Sequence, residues 1–490
     1  MNDTTGGPTP DAHPPREQQQ PERYDAIIIG GGPSGSVAAA RLAMAGWRVA
    51  IVEQAEFPRR KVCGEYLSAT NAPVLRGLGL WDAFAAEAGP EVKRVALFQS
   101  GRRPVTAALP LPSRPSLSRP SSRGEAGVWG RALTRDRLDA MLIGHAQRQG
   151  AHVLQPWRCV ELSPVTLEPG GGSGGAGDAR GWRCVAENRA ARHQQRRLAA
   201  PVVIAGHGSW TRQPLPTQPA AKPPAAGDLL GFKAHFTGAD LPADLMPLLS
   251  FPGGYGGMVT CQDGLSSLSC CVRMGTLDRL RGGRTKDESP GNSPGGGSAG
   301  ERVFDHIRRT TPPVAAALDR AQRVGPWLAA GPLRPGRRPL YRRGLFAVGN
   351  AAGEAHPVVA EGISMAMQSG WLAAESLVAA CGNGLSRGGP SGNGSIEGRL
   401  PPEAIDAAGA EYARLWTAAF APRIRASFAI AAWAMRPALV RVSQPAIRLF
   451  PPLLTLGARL SGKARLIGQA GGGVRGALDA SAGPPTQETA

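Results

Sequence analysis

The 490-residue chain has no cysteine framework. Its cysteines, Cys63, Cys159, Cys184, Cys261, Cys270, Cys271 and Cys381, are odd in number, scattered and never in C-x-x-C spacing. That pattern argues against a disulfide scaffold and against a zinc site, so no metal ligands are expected. Long hydrophobic runs are also missing: none reaches the roughly 18 residues a membrane span needs. Met1 to Glu22 is polar and proline-rich, without the apolar core of a secretory signal, so a cytoplasmic location is expected. Acidic residues are absent between Tyr412 and Leu478, while the whole chain carries a formal charge of +19. A surplus of that size suits nucleic acid, an anionic membrane surface or an acidic substrate, or is simply a basic surface without one partner.

The 66 glycines and 45 prolines exceed what one compact fold uses. Gly/Ser/Pro stretches near 169–181, 281–300 and 382–401 read as flexible loops, and 1–22 and 467–490 as disordered tails. Ordered pattern begins at Tyr24. Ala26 to Ile29 is a short apolar run that fits a strand buried on both faces. Val37 to Ala43 is a helical stretch ending at Gly46, and Arg48 to Val52 is a second buried strand with Glu53 at its end. Together they form a βαβ unit, which implies a parallel sheet and a right-handed crossover.

Between the first strand and the helix stands Gly30-x-Gly32-Pro33-Ser34-Gly35. Gly30 suits a tight turn, Gly32 lets the backbone approach a pyrophosphate, and Gly35 lets helix and strand pack closely. The helix opening at Pro33 and Ser34 offers unpaired N–H groups and a positive dipole end to the phosphates. Glu53 has the spacing of a carboxylate that bonds ribose hydroxyls and would repel a 2′-phosphate, so the site suits NAD or FAD rather than NADP.

Further segments resemble the flavoprotein superfamily of the aromatic hydroxylases, such as para-hydroxybenzoate hydroxylase, and the geranylgeranyl reductases. Pro58-Arg59-Arg60-Lys61-Val62-Cys63-Gly64-Glu65 is placed as in the reductase branch, where this segment passes the FAD pyrophosphate and isoalloxazine. Arg131-x-x-x-Arg135-x-x-Leu138-Asp139-x-x-Leu142 is similar to the family helix whose leading residue contacts FAD. Val160 sits where the family's backbone reads the adenine. Gly349-Asn350-Ala351-Ala352, followed by Pro357 and Glu361-Gly362-Ile363, looks like the motif closing the second end of the FAD site. The resemblance implies FAD as cofactor, bound by Gly30, Gly32, Pro33, Ser34, Gly35, Glu53, Arg60, Lys61, Cys63, Arg131, Arg135, Val160, Gly349, Asn350, Pro357, Gly362 and Ile363. NAD(P)H is the electron donor it brings with it.

The chain departs from the family at several points. Asn350 replaces the Asp that bonds the ribityl chain, although an amide still donates and accepts. His207, in Gly206-His207-Gly208, stands where hydroxylases carry an Ala-Asp-Gly motif linked to both FAD and NAD(P)H. The halogenases' W-x-W-x-I-P and the reductases' Y-x-W-x-F-P are absent, and Val62 to Val92 contains no lysine. Three residues suit acid–base chemistry beside a flavin: Cys63, His356 and Tyr255. Each has an equally simple structural reading as a packed thiol, a turn histidine and a packed aromatic.

The expected fold is α/β: a Rossmann-like FAD-binding domain with a parallel sheet and helices (23–95, 125–215 and 335–380), interleaved with a mixed or antiparallel substrate domain (96–124 and 216–334). A basic helical segment follows at 402–466, which Pro437, Pro445 and Pro451-Pro452 are expected to cut into short helices. Basic, Trp-bearing amphipathic helices suit the surface of an anionic membrane, and equally a lid on the flavin domain; nucleic acid fits less well, since no aromatic-interleaved platform appears. The activity expected is FAD-dependent oxidation chemistry of the monooxygenase type on an apolar, aromatic or lipid-like small molecule. Its alternatives are reduction of an alkene, and a binding flavoprotein whose flavin is structural.

Overall fold

The computed structural model describes residues 20–99, 103–112, 127–167, 180–209, 223–282, 298–382 and 400–464. The expected tails at 1–19 and 467–490 lie outside the described residues, as do the three glycine-rich loops in all but their end residues. Within the first tail reading, Glu22 is described and already pairs with Leu198 in a parallel strand, Glu22–Arg23.

A six-stranded sheet holds the first crossover. Its parallel strands run Leu345–Ala347, Val202–Ala205, Ala26–Ile29, Val49–Val52 and His152–Leu154, with Tyr341–Arg342 antiparallel on one edge. The central strands are apolar at every position because both faces are covered. Ile28 and Ile51 pack under the helices Pro33–Met44, Arg135–Arg148 and Gly362–Cys381. Their neighbours Ile27, Ile29, Ala50 and Val52 pack beneath a smaller sheet with Cys159, Trp182 and Leu198. That sheet is built from Trp157–Thr166, Arg180–Asn188, Gln195–Ala200 and Glu22–Arg23.

A seven-stranded sheet forms the second unit, in the order Gln322–Leu333, Leu229–Thr237, Ser266–Arg273, Gly254–Thr260, Leu245–Phe251, Arg94–Gln99 and Val105–Ala108. It is antiparallel except where Leu245–Phe251 runs parallel to Arg94–Gln99. One face is covered by helices Met274–Leu280, Ala299–Thr310 and Pro312–Ala317 around Phe232, Phe236, Leu249 and Leu268. The other face looks toward the first sheet. Cys270 and Cys271 fall on opposite faces of one strand, in separate apolar clusters.

The C-terminal region departs from its expected short pieces. Pro402–Ala434 is one helix of 33 residues with Pro422 inside it, and Pro437–Leu449 contains Pro445. A proline inside a helix costs about 3 kcal/mol. Around Pro422 that cost is offset by burial of Trp416, Phe420, Ala421 and Ile424 against the first domain, each large side chain contributing about 1.5–3 kcal/mol. Helix breaks do occur before Pro437 and at Pro451, where the last helix, Pro452–Leu460, begins. Among the described residues no helix is long and apolar enough to cross a membrane.

Candidate active site

The glycine turn is fixed by contacts that admit no side chain. Gly30 lies at φ +98°, and a Cβ there would fall 2.7 Å from the Gly206 carbonyl oxygen; at Gly35 it would fall 1.9 Å from that of Gly30. Gly32, which caps the helix Pro33–Met44, has no atom within 4 Å of such a position. The backbone is therefore open on the side where the helix N–H groups emerge. Glu53 is buried next to this turn, its Oε2 accepting from the Gly31 N–H at 2.7 Å and its Oε1 from that of Ala55 at 2.9 Å. The acid thus braces the turn, with a second lone pair left on each oxygen.

A cavity of about 540 Å³ starts at Gly32, Pro33 and Ser34 and runs between the two sheets. Of the four basic residues expected to bind FAD, two line it and two do not. Lys61 and Arg135 face the cavity. Desolvation, together with the Arg135 and Arg59 guanidinium groups, pushes the Lys61 ammonium down to about 8. Arg135 is held by a two-point pair to Asp139, both bonds 2.7 Å. Arg60 turns to His235, 3.0 Å from Nδ1, and to the Val324 carbonyl. Arg131 donates to the Gly89 carbonyl and pairs with Glu91. Neighbours along an extended segment face opposite ways, which separates Arg60 from Lys61. Val160 stands in the outer strand Trp157–Thr166, at the bulge opposite Val185 and Ala186, away from the cavity wall.

Gly208, Asn350, Pro357, Gly362 and Ile363 also line the cavity. Gly349 sits behind them at φ +59° and donates to Ser369 Oγ. Asn350 donates from Nδ2 to Ser209 Oγ at 3.1 Å, and its main-chain carbonyl accepts from Arg338 at 2.7 Å. His207 is a neutral imidazole near neutral pH, since burial pushes it down to about 4. The chain then turns through Pro357–Val359 and a left-handed Ala360 into the 20-residue helix Gly362–Cys381. Here too the first glycine has open space beside it: nothing lies within 4 Å of a Cβ at Gly362.

This helix start carries a buried ion pair that sequence reasoning did not place. Glu361 Oε1 lies 2.9 Å from Lys463 Nζ, which also donates to the Val359 carbonyl at 2.7 Å and stands 4.8 Å over the Tyr66 ring. Both Glu361 and Lys463 are buried, and Glu361 Oε2 has no hydrogen-bond partner among the described residues. Lys463 comes from beyond the last helix; the only hint in the chain is that it is the lone lysine in an arginine-bearing segment. Tyr255 Oη lies 3.2 Å from His356 Nδ1. Burial, then the nearby Cys271 thiol, pushes the phenol well up, while burial pushes the imidazole down to about 4. Near neutrality the pair is therefore an un-ionised phenol beside a neutral imidazole.

A second unforeseen cluster supports the Cys63 turn. Glu65, at φ +63°, pairs with Lys233 and His235 on the second sheet, the latter at 2.7 Å, and accepts the Arg135 backbone N–H at 2.9 Å. Burial alone would raise this carboxyl, but the His235 hydrogen bond and the Lys233 charge outweigh it and hold it at about 2. The cluster ties both domains to the segment carrying Lys61 and Cys63, which line the cavity. Lys233 and His235 escape sequence reasoning because nothing in an alternating strand marks an inward charge whose partner is 170 residues away.

Beyond this point the cavity wall turns apolar. Leu109, Met246, Leu248 and Val259 come from the second sheet and its edge, and Ile430, Trp433, Ile447 and Leu454 from the C-terminal helices.

The open backbones at Gly32 and Gly362 and the cations Lys61 and Arg135 form a cradle that fits an elongated, pyrophosphate-bearing, ring-bearing cofactor. A family profile described as "FAD binding domain" matches residues 23–162. The Menaquinone reductase of Mycolicibacterium smegmatis is 34% identical over 123 residues, covering 25% of this chain and 29% of that protein. Curated relatives are matched over only 25% to 34% of their own length. The fold is shared along nearly the whole chain with the myxobacterial chondrochloren halogenase (TM-score 0.62, 20% identity, 90% of this chain and 91% of that one). It is likewise shared with a geranylgeranyl bacteriochlorophyll reductase-like protein from Thermoplasma acidophilum (TM-score 0.58, 16% identity, 94% and 96%). FAD is the cofactor these residues fit.

Proposed function

From the premise that the chain carries the FAD-binding domain and two-sheet fold of the FAD-dependent oxidoreductases, we propose that it reduces a double bond in an apolar, lipid-like small molecule. The observation that carries this reading is the single cavity that passes from a glycine-and-cation cradle into a chamber walled by Leu109, Met246, Leu248, Val259, Trp433 and Ile447. Such a wall is mostly apolar, with a few polar groups such as Tyr255 and Lys463 set into it, so specificity rests mainly on apolar burial.

Bound FAD, once reduced by a two-electron donor, supplies a hydride equivalent to the substrate. The chain binds the cofactor through the open backbone at Gly32 and Gly362 and through Lys61 and Arg135. It excludes water by laying the C-terminal helices over the chamber. Saturating a carbon–carbon double bond consumes one hydride and one proton. Tyr255 holds that proton at Oη on the chamber wall, un-ionised at neutral pH, with His356 Nδ1 at 3.2 Å as the partner for its replacement. A wall whose phenol is kept protonated suits protonation of a reduced carbon. The curated relatives include a protein named Menaquinone reductase, matched over 123 residues, which agrees with a substrate of this class.

The halogenase relatives and neighbours favour a second reading, oxidation with molecular oxygen, as in the monooxygenase expectation. One experiment separates the two. FAD-loaded protein is reduced with dithionite without oxygen and given a prenylated quinone in detergent micelles. The expected product, after its ring is reoxidised in air, retains two added hydrogens in the prenyl chain and is absent from controls with dithionite but no protein. A product that gains an oxygen atom, formed only in air, transfers the assignment to the oxygenase reading, and no product under either condition removes both.

A further inference from the structure

The last two helices each bury one face and leave the other uncovered. In Pro437–Leu449 the buried residues are Val440, Gln444 and Ile447. On the opposite side Leu439, Val442 and Leu449 follow one another at helical spacing and are exposed, Val442 by 80% and Leu449 by 88%. Pro452–Leu460 repeats the pattern with Leu453, Leu456 and Leu460, all exposed, and Phe450 stands exposed in the link between the helices. Large apolar side chains at these positions form a patch rather than isolated exceptions, and a patch of this kind marks an interaction surface.

The charges around it name the partner. Arg441, Arg448 and Arg459 are exposed on the same two helices and Arg436 just before the first of them, and no acidic residue occurs between Tyr412 and Leu478. Apolar stripes edged by guanidinium groups complement the interface of an anionic bilayer, where acyl chains meet phosphate headgroups. The cavity reaches the surface at the same place. Leu453 is 41% exposed, yet it lines the cavity together with Ile447, Leu454, Gly457 and Ala458. The helices are anchored from behind: Gln444 and Arg448 donate to the Arg103 carbonyl, and Thr455 to that of Ala108.

We propose that the faces of Pro437–Leu449 and Pro452–Leu460 dock on an anionic lipid surface, and that the apolar substrate enters the chamber from the bilayer past Leu453. The substrate-entry part rests on the function proposed above; the docking part does not.

The test is flotation of the full, FAD-loaded chain with vesicles of phosphatidylcholine alone and of phosphatidylcholine mixed with phosphatidylglycerol. Binding to the mixed vesicles is expected, and little to the neutral ones. Arg441→Glu with Arg459→Glu should lower the bound-to-free ratio about tenfold or more. Leu449→Ser with Phe450→Ser should lower it by a similar factor. Both variants should keep the flavin absorbance of the parent and turn over detergent-solubilised substrate at its rate, because none of the four residues touches the cavity. Equal binding of parent and variants, or no binding by the parent, overturns the proposal. A parent that ignores vesicles but forms a dimer lost in Leu449→Ser with Phe450→Ser shows that a second copy covers this face instead. Vesicle binding without turnover of any quinone or alkene leaves the docking surface standing and removes the substrate reading alone.

Discussion

The two ends of the cavity are built in opposite ways. At the nucleotide end, the glycine turn, the helix start and the bracing acid lie between Gly30 and Glu53, joined by a hydrogen bond spanning 22 residues. At the far end the wall is assembled from Tyr66, Met246, Tyr255, Trp433 and Lys463, and the ion pair behind it, Lys463 with Glu361, joins residues 102 positions apart. The first end is a local motif that a backbone conformation alone nearly completes. The second exists only when two sheets and a C-terminal helical segment have docked, and its buried charges are tolerable only in pairs.

The comparison breaks most sharply at Glu53. In Glu53→Lys a cation replaces the acceptor that braces Gly31 and faces Arg59, 3.9 Å away in the parent. Retained flavin, read as the ratio of visible to protein absorbance after purification, should fall about 100-fold or more, the equivalent of about 3 kcal/mol. A variant as yellow as the parent removes the nucleotide assignment.

The far end should respond differently. Lys463→Met leaves Glu361 buried and uncompensated, at a cost of about 3–5 kcal/mol. Thermal stability and turnover should both drop while the glycine cradle stays intact. Adding Glu361→Gln should recover most of the melting temperature but not the turnover. If the double variant is as unstable as the single one, the pair is not what holds this end together.

The smallest effect is in pH. In the free protein Lys61 loses its proton near pH 8, whereas a bound pyrophosphate favours the ammonium form. Binding therefore takes up a proton above pH 8, and affinity should fall as pH rises, by at most tenfold per unit. Flavin fluorescence titrations from neutral to alkaline pH check this. Lys61→Arg should flatten the profile, because guanidinium does not titrate in that range.

Much of the nucleotide end was legible in the chain because its signals are short in range. Apolar strands at 26–29 and 49–52, glycines at fixed offsets and an acid at the strand end are read within one window. The resemblance at Gly349-Asn350 and Glu361-Gly362 carried the reading to the second helix start. Assignments by residue type travelled less well: Arg60 and Arg131 have the right chemistry but turn to His235 and Glu91. Pro445, read as a helix breaker, sits inside a helix, as does Pro422, because packing on the core outweighs the lost backbone bond. Glu65 was visible in its segment, but its partners Lys233 and His235 were not.

By itself the sequence determined a parallel βαβ unit with an open glycine turn, a dinucleotide-type cradle and a basic C-terminal segment free of acids. Backbone sterics and burial on two faces leave those residues few other conformations. Tertiary structure decided which cations face the cavity, that Lys463 closes on Glu361, and that two apolar stripes remain outside. The reason is that a side chain's direction and partner depend on what docks against it, and those partners lie up to hundreds of residues away.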